Sequence, residues 1–199
     1  TMATVTFDAT NEAPVLTAHN PAFPGIDEDN VDNVGVTIAS LVEGSISDGD
    51  AGALEGVAVL GAEAGTGTWE FSLDNGGEWR PLGTVSENGA LLLRSTDRVR
   101  FVPDMLNGTV ASITYAAWDQ TAGRIPGTKV DVLGRGGETA FSSAADVASV
   151  TVTSVNDAPV VASATIDQTS VENVAFEYVF SINTFADMDI GDTLTYEAM

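Results

Sequence analysis

The chain has 199 residues, with 29 Asp or Glu against 7 Lys or Arg, and so carries a net charge of -22 at pH 7. This balance argues against nucleic acid or anionic membrane as a partner, because phosphate recognition needs Lys and Arg clusters, and it destabilises a compact chain unless cations are bound. The chain has no cysteine, which excludes disulfides and thiolate metal sites, and no run of about 18 apolar residues that would predict membrane insertion.

A junction near the start of the chain recurs after the middle part. Asn11-Glu12-Ala13-Pro14 and Asn156-Asp157-Ala158-Pro159 are nearly the same tetrapeptide, and valine follows each. A repeated acidic, proline-stopped junction is typical of linkers between tandem modules. We therefore expect a slice of a longer protein in three parts: the last strand of one module with its linker at 1–12, a complete module at 13–156 and a partial module at 157–199.

The middle part alternates polar residues with β-branched or aromatic ones, which predicts strands. Residues 74–77, Asp-Asn-Gly-Gly, predict a hairpin turn. At most short helical turns are expected, around 86–93. The predicted strands cover residues 34–41, 57–60, 68–73, 78–82, 98–102, 110–117, 148–155 and, in the last part, 176–182.

Many short strands separated by turn signals indicate an all-β chain of antiparallel β-sandwich modules in tandem. The large aromatic side chains are expected to pack in the core. The candidates are Trp69, Phe71, Trp79, Phe101, Tyr115 and Trp118.

Acidic residues cluster in turns rich in Gly and Asn. Calcium takes six to eight oxygen ligands, and an Asp-x-Asp turn offers two carboxylates with a carbonyl between them. None of the clusters matches the twelve-residue helix-loop-helix calcium loop or the nonapeptide β-helix repeat, and a solvated turn with Asx hydrogen bonds is the alternative. The clusters contain Asp27, Glu28, Asp29 and Asp32; Asp48 and Asp50; Asp119 and Asp131; and Asp187, Asp189 and Asp192.

Two parts of the chain resemble known families. Residues 185–196, Phe-Ala-Asp-Met-Asp-Ile-Gly-Asp-Thr-Leu-Thr-Tyr, preceded by 166–168 and 176–180, look like the first half of a dystroglycan-type cadherin-like domain. The central module resembles one common in giant bacterial RTX-type adhesins. The motifs that carry this second resemblance are residues 46–52, 67–72, 100–104, 117–120 and 136–142.

The resemblance implies a cadherin- or immunoglobulin-like fold and several bound calcium ions that stiffen the linkers. In ligand-binding copies of the family, a calcium ion also coordinates a carboxylate of the captured ligand. Junction ligands would be Asn11, Glu12, Asn156, Asp157, Asp187 and Asp189. Ions of the central module would use Asp48, Asp50, Asp119 and, as a further candidate, Asp131, while Asp27, Asp29 and Asp192 are additional candidates.

The stretch between Asp119 and Phe141 is irregular, rich in glycine and contains three of the seven basic residues. Loops on a rigid scaffold commonly carry binding function, and basic groups attract a ligand carboxylate. We expect a ligand site here beside a calcium ion; the alternative is a surface loop that only neutralises local acidity. The candidate ligand-binding residues are Gln120, Arg124, Lys129, Arg135, Gly136 and Gly137.

Three functions are consistent with the sequence. The preferred one is a calcium-dependent module of a bacterial cell-surface adhesin that binds a peptide or other acidic ligand on a target surface and contacts neighbouring modules of its own chain. The second is a structural extender that binds nothing. The third is a carbohydrate-active enzyme, since glycoside hydrolysis needs only two carboxylates. No catalytic motif is present, and the single histidine, His19, is expected to be an ordinary surface or packing residue, so no enzymatic activity is predicted.

Overall fold

A computed structural model describes residues 10–121 and 123–196. The elements are short strands and one four-residue helix, which confirms the all-β prediction. In chain order they are β1 Val15–Leu16, β2 Ile26–Asp27, β3 Val36–Thr37, α1 Ile38–Leu41, β4 Ile46–Ser47, β5 Gly56–Glu63, β6 Thr68–Ser72, β7 Arg80–Pro81, β8 Ala90–Arg94, β9 Arg98–Val102, β10 Thr109–Trp118, β11 Lys129–Val130, β12 Asp146–Thr153, β13 Val160–Val161 and β14 Phe185–Ala186.

Two sheets form the central module. One has six strands in the order β11-β8-β5-β10-β12-β2, and the other has four in the order β3-β9-β6-β7. All neighbours are antiparallel except β12 and β2. Apolar side chains of both sheets, such as Tyr115 and Val150 on one and Trp69 and Phe101 on the other, belong to a single buried cluster. The arrangement is sandwich-like, with the core between the sheets.

The six-stranded sheet is buried on its outer face as well. Val57 and Val59 of β5 point into the main core, whereas Ala58 and Leu60 join a second cluster. Residues 119–145, here named the covering segment, close this outer face with Val132, Ala140 and Phe141. Burial on both faces explains the continuous apolar runs of β5 and β8. The glycine-rich stretch is therefore anchored by its own apolar core.

Two predicted elements are wrong in type. The strand predicted at 34–41 stops at Thr37, because the Thr37 side chain accepts a hydrogen bond from the Ser40 N–H and caps helix α1. The helical turns predicted around 86–93 are a tight turn followed by β8, whose residues pack on both faces of the large sheet. The hairpin turn at 74–77 forms as predicted, with positive φ at Asn75 and Gly76.

Five of the six predicted core aromatics are buried. The exception is Trp79, which is half-buried beside the short strand β7 and lies 4.3 Å beneath the Arg100 guanidinium. A cation–π contact of this kind places the ring at the edge of the sheet and not between the sheets.

Residues 157–196 form little regular structure. The ribbon of β13 and β14 is the only strand pairing described for this part. The strand predicted at 176–182 is absent, and its apolar residues are exposed because no second sheet packs against them. Phe180, Phe185 and Tyr196 instead pack on one another with ring centroids 5.1–5.7 Å apart. The strand predicted at the chain start falls on residues 1–9, which lie outside the described residues.

Candidate metal centres at the two linkers

Five carboxylates gather where the second linker leaves the central module. Oxygens of Glu28, Asp157 and Asp189 lie within 4.8 Å of one another, and so do oxygens of Asp187, Asp189 and Asp192. Asp189 belongs to both groups. Within residues 10–121 and 123–196, these are the groups of three close acidic side chains. The arrangement could hold a metal ion, or two ions that share Asp189.

Glu28 is the group that the central module contributes. It follows β2, which pairs with the end of β12, and its side chain is buried while Asp27 and Asp29 on either side are exposed. One carboxylate oxygen, Oε1, accepts the Val155 N–H at 2.9 Å, and Oε2 is buried without a partner. The sequence placed Glu28 in an acidic cluster, but its neighbours Asp27 and Asp29 were proposed as the ligands. Three consecutive acidic residues give no local signal of which one is buried.

A carboxylate oxygen buried without a partner among other carboxylates is unfavourable. Two unit negative charges 4.8 Å apart repel by about 3.5 kcal/mol at an effective dielectric constant of about 20. A bound cation would offset this repulsion. The all-oxygen donor set and the unpartnered Glu28 Oε2 fit a hard divalent cation.

The turn that follows β14 positions the other ligands. The Asp189 N–H donates to Asp187 Oδ1 at 3.0 Å, and the linker's Asp157 N–H donates to Asp189 Oδ2 at 2.7 Å. Gly191, with φ of +100°, closes the turn in a conformation that other residues rarely adopt. These bonds order the acidic turn against the linker.

The first linker has the same arrangement. The Asp50 N–H donates to Asp48 Oδ1 at 2.8 Å, and the Glu12 N–H donates to Asp50 Oδ2 at 2.7 Å. The ribbon of β1 and β4 has the same pairing as that of β13 and β14, and Gly52 has φ of +85°. Asp48 Oδ2 is buried without a partner. The two tetrapeptides are therefore followed by the same local structure.

The two linkers differ in the length of their acid. A Cβ at Gly49 would lie against Glu12 Oε2, the end of a flexible side chain that can move aside, whereas the second turn has Met188 at the matching position beside the shorter Asp157. Gly49 leaves room for the Glu12 carboxylate in the position that the structure shows.

Asp119 adjoins the acidic turn of the first linker, which we name the first site. Asp119 is 3% exposed, and its Oδ2 accepts the Asn11 side-chain N–H at 2.9 Å. Asp50 and Asp119 line one depression with Asn11, and Asp48 accepts the Asp50 N–H, so all three acids adjoin the first linker. Among the described residues, they do not form a group of oxygens within 4.8 Å of one another. Asp131, the further candidate ligand, is exposed; its Oδ1 accepts the Leu133 N–H at 2.9 Å, and it lines a depression that Asn11 also lines.

Two adjoining depressions flank the first site. One, of 460 Å³, is lined by Asp50, Asp119 and Gln120, and the other, of 550 Å³, is lined by Arg124 and Asp131. Asn11 and Thr121 line both. We name the combined depression the linker groove. It brings together the acidic site and part of the predicted ligand loop.

The remaining predicted ligand-binding residues lie elsewhere. The Lys129 ammonium donates to the Thr84 carbonyl at 2.6 Å, and the Arg135 guanidinium pairs with Glu87 at 2.8 Å. Gly136 and Gly137 line a smaller depression of 370 Å³ on another side of the linker. Of the three basic residues in the segment, Arg124 alone lines the groove.

His19 lies next to a buried carboxylate. Its Nδ1 is 3.3 Å from Asp146 Oδ2, and Asp146 accepts the N–H groups of His19, Asn20 and Val147 and the Tyr115 hydroxyl. Burial alone would raise the pKa of Asp146, but these donors outweigh it and lower the pKa. Burial, together with the Asp146 charge, raises the pKa of Tyr115. The cluster fastens the loop between β1 and β2.

Comparison with protein-family models, curated proteins and solved structures finds no match to this chain. None of the helices in the described parts of the chain has the length and apolar character needed to cross a bilayer.

Proposed function

We propose that the chain is part of a calcium-dependent tandem array in a large bacterial cell-surface adhesin, in which calcium at each linker stiffens the connection between modules. The observation that carries the proposal is the same pattern of bonds between a linker N–H and an Asp-x-Asp turn at both linkers. An unpartnered carboxylate oxygen lies at each linker, Asp48 Oδ2 at the first and Glu28 Oε2 at the second. One such turn has a bland explanation as a solvated loop, but the same bonds at two junctions indicate a shared requirement.

Calcium is the ion that fits this chemistry. The candidate ligands are carboxylates, amide oxygens and main-chain carbonyls in turns, and calcium accepts six to eight such oxygens in flexible geometry. The net charge of -22 favours uptake of divalent cations. An extracellular location supplies calcium at the concentrations that weak modular sites need, about 0.1–1 mM.

A second role, capture of a peptide or other acidic ligand, is favoured by the linker groove. Asp119 and Asn11 present the first site to this groove, and Arg124 lies on its wall, with its guanidinium 5.8 Å from the Phe141 ring centroid. A calcium ion with an exposed coordination position and a nearby guanidinium would together recognise a ligand carboxylate. A pure extender would leave the groove without a ligand.

An enzymatic role is less well supported. The two catalytic carboxyl groups of glycosidases lie about 5–9.5 Å apart, across a sugar. Here one oxygen of each carboxylate in the close groups lies within 4.8 Å of the others, a spacing that suits a shared cation.

The calcium proposal is tested by thermal unfolding and small-angle scattering in millimolar calcium and in EGTA. Calcium should raise the melting temperature, because an ion bound only by the folded state stabilises that state. It should also narrow the distribution of interatomic distances obtained from scattering, because a stiffened linker allows fewer arrangements of the two parts it joins. Asp189→Asn should remove most of the effect at the second linker, and the exposed Asp167→Asn should not. Identical melting curves in calcium and EGTA would exclude the proposal.

The ligand proposal is tested with a random peptide library that has free carboxyl termini. Capture should require calcium and should be weakened more by Asp119→Asn or Arg124→Ala than by Asp187→Asn at the other linker. Equal losses at both linkers would show that the groove is not the binding site, and no capture in calcium would favour the extender.

A further inference from the structure

Asn107 contacts the acidic turn of the second linker from the central module. It lies between β9 and β10, and its side-chain amide makes two hydrogen bonds to the main chain of that turn. The Nδ2 group donates to the Met188 carbonyl at 3.3 Å, and Oδ1 accepts the Ile190 N–H at 3.0 Å. The two bonds bracket Asp189, the carboxylate shared by both acidic groups.

The neighbouring chain holds Asn107 in place. The Gly108 N–H donates to Ser154 Oγ at 2.8 Å, and a Cβ at Gly108 would lie only 2.8 Å from the Ser154 N and the Val152 O. Only glycine permits this close approach to the end of β12. Asn107 is therefore fixed against the strand that leads directly into the linker.

We propose that Asn107 is a positioning residue that holds the acidic turn of the following module so that Asp189 meets Glu28. Glu28 belongs to the central module, whereas Asp189 lies beyond the linker, so the site exists only when the two parts are in register. The inference rests on the proposed calcium function.

The Asn107 amide bonds only to main-chain atoms of the turn, so these hydrogen bonds do not depend on the side chains of Met188 and Ile190. In the first linker, the Gly49 carbonyl and the Ala51 N–H occupy the matching positions, and no group within the described part of the chain bonds to either. The first turn thus has the same donor and acceptor pair, unpaired among the described residues.

The test compares Asn107→Ala with Asn88→Ala, which removes an exposed side-chain amide that makes no hydrogen bond within the described part of the chain. Calcium binding is measured by titration calorimetry on the full chain. We expect Asn107→Ala to raise the calcium dissociation constant at the second linker about tenfold, which corresponds to a loss of about 1.4 kcal/mol from the two hydrogen bonds. Asn88→Ala should leave the dissociation constant unchanged.

A distance measurement separates positioning from general stability. The chain lacks cysteine, so cysteines introduced at the exposed positions Thr151 and Gln168 carry spin labels without competition. At saturating calcium, Asn107→Ala should broaden the distance distribution between the labels. Asn107→Asp, which keeps an acceptor for the Ile190 N–H, should give a distance distribution narrower than that of Asn107→Ala. Loss of folding of the central module would instead lower its melting temperature in all conditions.

The outcomes are distinct. Unchanged calcium affinity and an unchanged distance distribution in Asn107→Ala would overturn the positioning role while leaving the calcium proposal intact. Failure of the wild-type chain to take up calcium would overturn the proposed function. In that case the positioning role would survive only if Asn107→Ala still broadened the distribution.

Discussion

Replacing Glu28 with glutamine should have opposite effects on stability with and without calcium. The substitution keeps the size of the side chain and an oxygen to accept the Val155 N–H, but removes the negative charge next to Asp157 and Asp189. Without a cation that charge is repulsive, and with a cation it is a ligand.

The magnitude follows from the geometry. The substitution removes two repulsive pairs, each separated by no more than 4.8 Å and worth about 3.5 kcal/mol at an effective dielectric constant of about 20. Water reaches the half-buried Asp157 and Asp189 and screens the charges, so the gain in the free energy of unfolding is smaller than the sum of the two repulsions. A gain of about 2 kcal/mol would raise the melting temperature in EGTA by about 4–8 °C.

In saturating calcium, Glu28→Gln should reduce the melting temperature below that of the wild type. A neutral amide oxygen is a weaker calcium ligand than a carboxylate, so the variant gains less from ion binding. The control is Glu43→Gln, which makes the same change in net charge at an exposed position. It should shift the melting temperature little in either condition.

The assay is thermal unfolding of the three proteins in EGTA and in calcium, with calorimetric titration of the ion. If Glu28→Gln destabilised the protein equally in both conditions, the carboxylate would have a structural role only, and the argument from repulsion would be refuted. If Glu43→Gln matched Glu28→Gln, the effect would come from the overall charge of the chain and not from the site.

Two further predictions concern the central module. The pKa of Asp146 is lowered in the folded state, so its ionised form stabilises the fold above the unfolded pKa of about 3.9, and this stability is lost as the pH falls through the folded pKa. In EGTA, Asp146→Asn should therefore reduce the free energy of unfolding at pH 7 by about 2–3 kcal/mol and make that free energy depend less on pH in acid. An unchanged pH dependence in acid would contradict this. A Cβ at Gly67 would collide with the Phe101 ring and the Val102 carbonyl, so Gly67→Ala should cost about 1–3 kcal/mol in urea unfolding, whereas Gly134→Ala, which meets open space, should be nearly neutral.

The strands were largely predictable where the alternation of residues reported the local environment. Strands β6, β9 and β10 lie where period-two patterns placed them, because their two faces meet different surroundings. The period-two pattern gave wrong predictions in two places. The Thr37 side chain caps helix α1 where the pattern predicted the end of a strand, and residues 176–182 form no strand because no sheet in the described part of the chain lies beside them to pair with.

The candidate sites divide in the same way. The repeated linkers and Asp-x-Asp turns were visible in the sequence, since both depend on residues close together along the chain. The pairing of Asp119 with Asn11 joins residues 108 positions apart. The roles of Glu28 and Asn107 likewise depend on β2 and the β9–β10 turn reaching the second linker.

The sequence by itself therefore determined the all-β class and located the two repeated tetrapeptides and the acidic turns, because these follow from local periodicity, turn residues and composition. Only the tertiary structure decided which carboxylates share a site, that Glu28 is buried between two exposed aspartates, and that Asn107 holds the following turn. These features depend on how distant strands pair and on which side chains burial leaves without partners, and neither is encoded in local spacing.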